Sequence, residues 1–368
     1  MEIIGAGFLM QSLQEPARDR QFMADEMRLA VLADELGFDY VSFPEHHFVS
    51  FSFSPNPLQL LTWVAARTTR INLMPAVVVL PWHDPLRVVE EAAVLDTLSG
   101  GRLWMGIGRG FARREYEGFR VDRQEARERF DEAAAFVKRA LETGIAEGNG
   151  PHYRQPAVEI RPAPFKSFAD RFFSVANSPD SAVLAGRIGA RMMHFVAGRA
   201  DQTLVDHVEN YRSAYRQHND GEPPPVLLSD ATLCTRDPDL VRRAREEWYP
   251  NNHRGIVEHY EFDSVEGDAT RVRGYDDPNR RHGPSSLGAT AFADSQVWGS
   301  PEQIVEAYRD RMRVLGDVDA HFIFRHGAMP PEVSEASMRL FADEVLPALR
   351  ELTNAAPVSS RGARSPDR

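Results

Sequence analysis

The sequence predicts an α/β fold with the strand count of a (β/α)8 TIM barrel and an insertion between the seventh and eighth strands. Three observations predict it. Short apolar runs recur eight times along the 368 residues. Each run but the last is followed by at least one stretch of helical period. One long segment, residues 263–297, is rich in Gly, Pro, Asp, Arg and Ser and has no period at all. A doubly wound sheet would show the same alternation, so periodicity leaves both architectures open.

The expected strands, in order, are Ile3–Leu9, Tyr40–Phe43, Ile71–Leu80, Leu103–Ile107, Phe172–Ala176, Met192–Val196, Val226–Leu233 and Ala320–Phe324. Between them, apolar residues spaced by three and four predict helices over Phe22–Leu36, Pro57–Thr69, Leu86–Leu98, Arg123–Leu141, Ala182–Ile188, Leu204–Gln217 and Pro301–Val314. Gly37, Gly100, Gly144, Gly189 and Gly316 stand where these helices should stop. A long loop such as 263–297 usually covers a site or lacks order, and it is the expected lid. A last helix, Ser334–Leu352, closes a single domain spanning 1–352. The polar residues 353–368 are too poor in apolar side chains to pack and are expected to be disordered.

Composition narrows the function. A net charge of −11 and a pI near 5.6 argue against nucleic acid or an anionic membrane as partner. Lys138 and Lys166 are the only lysines; the arginines are scattered among acids and form no patch. Cys234 stands alone, which excludes an internal disulfide and a cysteine-based zinc cluster and suits a reducing cytoplasm. No secretory leader and no apolar run of spanning length is visible.

In a parallel barrel the chemistry gathers at the C-terminal ends of the strands. Phe8, Glu45-His46-His47, Pro81-Trp82-His83, Gly108-Arg109-Gly110 and Asn177-Ser178 all follow strands there. Gly106, Gly108 and Gly110 imitate a dinucleotide fingerprint, but Phe111 and Arg113 occupy the positions that need its last glycine. The glycines leave the backbone open to a ligand, and Arg109 could grip a phosphate with its guanidinium; a tight turn with an exposed arginine explains them equally well. Ser178 is a good N-cap, Pro179 suits the first helical position and Ser181 lies on the first turn, a start that offers free N–H groups to an anion. Adjacent His46 and His47 point to opposite sides of an extended chain, so the pair does not chelate one ion, and no metal is expected. One inward histidine near neutrality suits acid–base work, and its neighbour is then structural.

These residues also carry a resemblance. The runs "DELGFDYVSFPEHHF", "VVVLPWHDPLRVVEEAAVLDTLSGGRLWMGIGRGF", "VANSPDSA", "RGYD" and "WGSPEQIVE" resemble the bacterial luciferase-like flavin monooxygenases, and the likeness to the luciferase catalytic subunit covers nearly the whole chain. The resemblance implies the barrel rather than the doubly wound sheet. It also implies reduced FMN as a co-substrate that meets O2 through a C4a-hydroperoxide, a species that decays to H2O2 when water reaches it. By position, His46 matches the catalytic histidine. Ala76 and Val77 match a cis peptide under the flavin ring, Arg109, Ser178 and Ser181 match the phosphate binders, and Phe8, Phe111, Val175 and Asn177 match residues lining the flavin. Arg271–Val297 matches the mobile loop.

Two departures stand out. Gly108 replaces a reactive cysteine, which should enlarge the space beside the flavin, and Asn177 replaces a glutamate. Both point away from light emission and long-chain aldehydes, toward a different small organic substrate that is hydroxylated, epoxidised or opened by Baeyer–Villiger insertion. The resemblance further implies a homodimer through helices 57–69 and 86–98, and a separate NAD(P)H:flavin reductase, since no nicotinamide motif is present. Competing readings are an F420-dependent oxidoreductase on the same barrel and a non-catalytic subunit. The Glu-His-His run and "RGYD" weigh against the first; His46, Arg109, Ser178 and Ser181 weigh against the second.

Overall fold

The computed structural model describes residues 1–13, 16–195, 201–262 and 288–352. In chain order the first half runs β1 (Ile4–Gly7), α1 (Asp19–Glu35), β2 (Tyr40–Phe43), α2 (Pro57–Ala65), β3 (Asn72–Pro75), β4 (Val78–Val79), α3 (Pro85–Leu98), β5 (Met105–Gly108), α4 (Arg113–Phe119), α5 (Ala126–Thr143), β6 (Ile145–Asn149) and β7 (Arg154–Glu159). The second half runs β8 (Phe172–Val175), α6 (Pro179–Arg187), β9 (Arg191–Phe195), α7 (Gln202–His218), β10 (Val226–Ala231), α8 (Pro238–Arg243), α9 (Tyr249–Tyr260), α10 (Ala289–Ser295), α11 (Pro301–Leu315), β11 (Val318–Ile323), α12 (Pro331–Leu340) and α13 (Leu346–Glu351).

The main sheet is parallel, in the order β3-β2-β1-β11-β10-β9-β8-β5-β4. Since β3 and β4 are consecutive pieces of one strand, that order is a ring. A parallel bridge between Leu73 and Leu103 ties β3 back toward β5, and the result is a nearly closed barrel. Its interior holds Tyr40, Met74, Ala76, Phe173, Met193 and Leu227, and a larger apolar layer fills the space between strands and helices. Side-chain caps begin several helices: Ser178, the expected one, stands just before α6, and Asn56, Asp84 and Asp237 stand just before α2, α3 and α8, each followed by proline. At α11 the Ser300–Gln303 capping box is complete.

Three features differ from the sequence reading. The third strand breaks at a cis peptide between Ala76 and Val77, so 71–80 is not one continuous strand. An antiparallel hairpin, β6 with β7, follows α5; its residues are largely exposed, which is why no apolar run announced it. And α4, α8 and α9 occupy stretches whose charged residues hid the helical period. Of the expected lid, residues 263–287 lie outside the described residues; its last part forms α10. The expected tail, 353–368, also lies outside them. No helix among the described residues is long and apolar enough to cross a membrane.

Candidate functional site

The C-terminal rim of the barrel is organised around two buried carboxylates, neither of which the sequence reading assigned a role. Glu45 follows β2. Its Oε1 accepts from Trp82 Nε1 at 2.8 Å and lies 3.0 Å from His47 Nε2 and 2.6 Å from His83 Nε2, while Oε2 accepts the Val79 N–H at 2.8 Å. Burial pushes this carboxyl up, but the bonds from His47, His83 and Trp82 outweigh burial and bring it down to about 2. His47 is thus a structural tie between strand ends, and His83 joins the same carboxylate, while the Asp84 side chain caps α3.

A lowered carboxyl stabilises the fold above its ordinary pKa of 4.5, and that contribution is lost as pH falls toward the folded value of about 2. The difference amounts to about 3 kcal/mol. Glu45→Gln should therefore be about 3 kcal/mol less stable at neutral pH, because the amide N–H2 meets other donors. The gap to wild type should shrink as pH drops below 4.5. Urea unfolding at several pH values checks this; a gap independent of pH would contradict it.

Glu115, in α4, is the second carboxylate. Its Oε1 accepts the His47 backbone N–H at 2.8 Å and lies 3.1 Å from His46 Nδ1. A carboxylate oxygen only accepts, so His46 Nδ1 donates to Glu115, and Nε2 is the ring nitrogen left facing away from that carboxylate. The His46 ring meets His259 of α9 edge-on at 4.6 Å, and His259 stacks on Phe51 at 4.7 Å. Burial first, then His46 and Arg114, lower His259 to about 2, so it is neutral. Donor atoms of His46, Glu115 and His259 lie within 4.8 Å of one another, a spacing that could hold a metal ion. The sequence reading expected no metal and did not connect these three.

Further round the rim, beyond β3 and β4, β5 pairs with β8, which sets Arg109 one strand from the start of α6. Arg109 is buried, and Tyr116 Oη fixes its carbonyl at 2.5 Å. Ser178 Oγ accepts the Ser181 N–H at 3.3 Å, and the two hydroxyls bond each other. Arg127 of α5 donates to the Asp180 carbonyl at 3.0 Å in the first turn of α6, while its other terminal nitrogen, Nη1, is buried without a hydrogen-bond partner. Arg127 is also paired through Nε with Asp131 at 3.2 Å, so what its buried Nη1, the capped helix N-terminus and Arg109 offer together is a set of donors that fits a phosphate group. Arg127 escaped the sequence reading because it lies in an ordinary amphipathic helix.

The other expected residues fall as follows. Ala76 and Val175 share the interior cluster, and the Ala76–Val77 peptide is cis. Phe111 is half-buried, with Tyr260 and Phe262 rings at 5.5 and 5.6 Å. Asn177 is exposed, and its Oδ1 accepts the Phe195 N–H at 3.1 Å, joining the ends of β8 and β9. Phe8 is not brought to them. Like Ile4 and Ala6 it belongs to the layer between barrel and helices, with its ring 5.7 Å from Phe43.

The glycines require a second correction. A Cβ on Gly106 would lie 2.1 Å from the Pro75 carbonyl oxygen, and one on Gly108 would lie 2.4 Å from Val77 Cγ2. They do not open the backbone to a ligand; they let the broken third strand approach β5. Nor does Gly108 enlarge the site, since Val77 fills the volume a side chain at 108 would take. Gly108→Cys should cost about 2 kcal/mol, and adding Val77→Ala should restore most of it. Urea midpoints of the two single variants and the double variant measure the coupling; simple additivity would refute this packing.

The fold is a nearly closed parallel α/β barrel that gathers buried ionisable groups at the C-terminal ends of its strands. The chain belongs to the luciferase-like monooxygenase family, whose model matches residues 6–317. It is 24% identical over 338 residues to the alkanal monooxygenase alpha chain of Photorhabdus luminescens, covering 88% of this chain and 91% of that one. It is 27% identical to the oxygenase component of a flavin-dependent trigonelline monooxygenase from Acinetobacter baylyi, over 67% of this chain and 73% of the relative.

Among solved structures, the monooxygenase RslO1 from Streptomyces bottropensis superposes with a TM-score of 0.78 at 28% identity, over 94% of this chain and 99% of the other. The same fold appears, at 19% identity and a TM-score of 0.71, in the oxygenating constituent of 3,6-diketocamphane monooxygenase from Pseudomonas putida, in complex with FMN; 94% of this chain and 98% of that one align. It appears again, at 16% identity and a TM-score of 0.70, in an F420-dependent secondary alcohol dehydrogenase, over 95% and 100% of the two chains.

Proposed function

We propose that this chain is the oxygenase component of a two-component monooxygenase that takes reduced FMN and O2 and inserts one oxygen atom into a small organic substrate. The observation that carries the reading is His46, held by Glu115 through Nδ1, on the same rim as the cradle of Arg109, Arg127, Ser178 and Ser181. Bound reduced FMN would supply the oxygen activation. Arg109 and Arg127 would hold its phosphate together with the N-terminus of α6, while Ala76, Val77, Phe111 and Val175 would line its ring. His46 Nε2 would take or return the proton that moves during oxygen transfer. The buried rings of Phe51 and His259 would keep water from that nitrogen.

A separate NAD(P)H:flavin reductase would supply the reduced FMN, in keeping with relatives that are oxygenase components. A homodimer through α2 and α3 is supported by the exposed Trp63, Val94 and Leu98 on those helices. A cytoplasmic location accords with the single reduced cysteine.

The deciding experiment is anaerobic. Purified protein is loaded with reduced FMN and mixed rapidly with aerated buffer. A long-lived near-ultraviolet transient, distinct from reduced and from oxidised FMN, supports the monooxygenase. Immediate reoxidation with no transient, together with tight binding of reduced F420, would move the chain to hydride transfer.

A further inference from the structure

Three side chains from separate parts of the fold converge at the strand C-terminal rim. His46 follows β2, Glu115 belongs to α4 and His259 to α9. One donor atom from each lies within 4.8 Å of the other two. His46 Nδ1 stands 3.1 Å from Glu115 Oε1, a hydrogen bond, while His259 Nε2 stands 3.9 Å from Glu115 Oε2, too far for one. Both ring nitrogens of His259 are buried with no hydrogen-bond partner, on a residue only 3% exposed. The ring is nonetheless fixed, stacked on Phe51 at 4.7 Å and edge-on to His46 at 4.6 Å. A buried imidazole held facing a carboxylate just beyond bonding distance calls for a third group that both can bind.

We propose that His46, Glu115 and His259 form a site for one divalent transition-metal ion of the zinc kind, with water as its fourth ligand. Two imidazoles and one carboxylate suit such an ion, whereas Mg2+ and Ca2+ take shells of oxygen. Ligands set tetrahedrally at ~2.1 Å from zinc lie roughly 3.4 Å from one another. The His46–Glu115 pair is already near that spacing, and the widest pair has to close from at most 4.8 Å. Glu115 Oε1 accepts the His47 N–H at 2.8 Å, a bond that aims the carboxylate as supporting bonds do around metal ligands. The charge of Arg114, which reaches His259, is offset by Glu261 at 3.0 Å. The His46 side chain keeps 14% of its surface exposed, against 2% for Glu115 and 1% for His259, so ion and water enter past His46.

The ion would also act on His46. Coordination occupies the Nδ1 lone pair, so the one proton of the neutral ring stands on Nε2, and that nitrogen is then a donor and not a base. An occupied site withdraws the group that oxygen transfer would use, and the metal is a brake. This last consequence alone rests on the oxygenase reading.

The test uses the full chain, stripped with a chelator and free of flavin, titrated with Zn2+ by calorimetry and with Co2+ in the visible. Wild type should bind one Zn2+ per chain with a dissociation constant of about 1 μM or below. Co2+ should give the intense band of a four-coordinate ion instead of the pale spectrum of the hydrated one. His46→Ala, Glu115→Gln and His259→Phe should each weaken Zn2+ about a hundredfold or more. His152→Ala, which removes a histidine standing near Glu125 and Glu128, should leave the affinity unchanged. Circular dichroism and thermal midpoints identify the folded variants, and the partly exposed His46 keeps the test open should the buried positions not tolerate change. In 15N-histidine spectra the Zn2+ form should carry the His46 proton on Nε2. Wild-type binding weaker than about 100 μM, an affinity unchanged in the folded ligand variants, a loss in His152→Ala instead, or a proton kept on Nδ1 would each overturn the proposal. Since no turnover is read, a failure of the oxygenase reading would show in the rapid-mixing experiment and leave these metal readings unchanged.

Discussion

His46→Ala is expected to bind reduced FMN as wild type does, yet to lower the rate of product formation about a hundredfold or more and divert O2 into H2O2. The expectation follows from the ring orientation that Glu115 imposes on His46 through Nδ1. With the imidazole gone, no base stands at Nε2, but the phosphate cradle on β5 and α6 is untouched. Parallel assays of product and peroxide, with flavin affinity measured anaerobically, check both halves. Product formation at the wild-type rate would end the catalytic assignment. Weakened flavin binding with unchanged coupling would make His46 a binding residue instead.

Arg109→Ala should weaken FMN about a hundredfold, the cost of removing one buried, charge-assisted phosphate contact. Arg109→Lys should recover only part of that loss, since an ammonium keeps the charge but not the two-pronged geometry. Quenching of flavin fluorescence gives the dissociation constants, and circular dichroism separates lost contact from lost fold. Riboflavin, which lacks the phosphate, supplies the control: its affinity should be the same in all three proteins. An equal loss for riboflavin would mean that Arg109 supports the barrel and not the phosphate.

Much of this molecule is legible before it folds. Strand and helix periods are local properties, so most of the barrel's elements could be read directly, with ends differing by a few residues. Where the period was lost, so were the elements. The hairpin β6–β7 is exposed apart from Ala146 and a few half-buried residues, and α4 is so rich in charge that Glu115 looks like any solvated glutamate. Nothing in "RREYEGF" says which of its two glutamates is buried.

That Arg109 would lie one strand from Ser178 and Ser181 was legible, because an N-capped helix start and an arginine after the neighbouring strand are local signals, whereas Arg127 belongs to a helix arriving from elsewhere. For the glycines the sequence misled. Gly108 looks like vacated space, and only the position of Val77 across the strand break shows that space to be filled.

Taken alone, then, the amino-acid order determined the alternation of strand and helix, the family, and which strand ends carry ionisable groups, since each of these depends on neighbours within a few positions along the chain. Tertiary structure decided what those groups do. Glu45 gathers Val79, Trp82 and His83 from more than thirty residues away, Glu115 orients His46 across sixty-nine, and α9 meets Gln11 from the other half of the chain. Proton positions, buried charges and unmatched donors depend on distances through space, and those come into being only when the ring of strands closes.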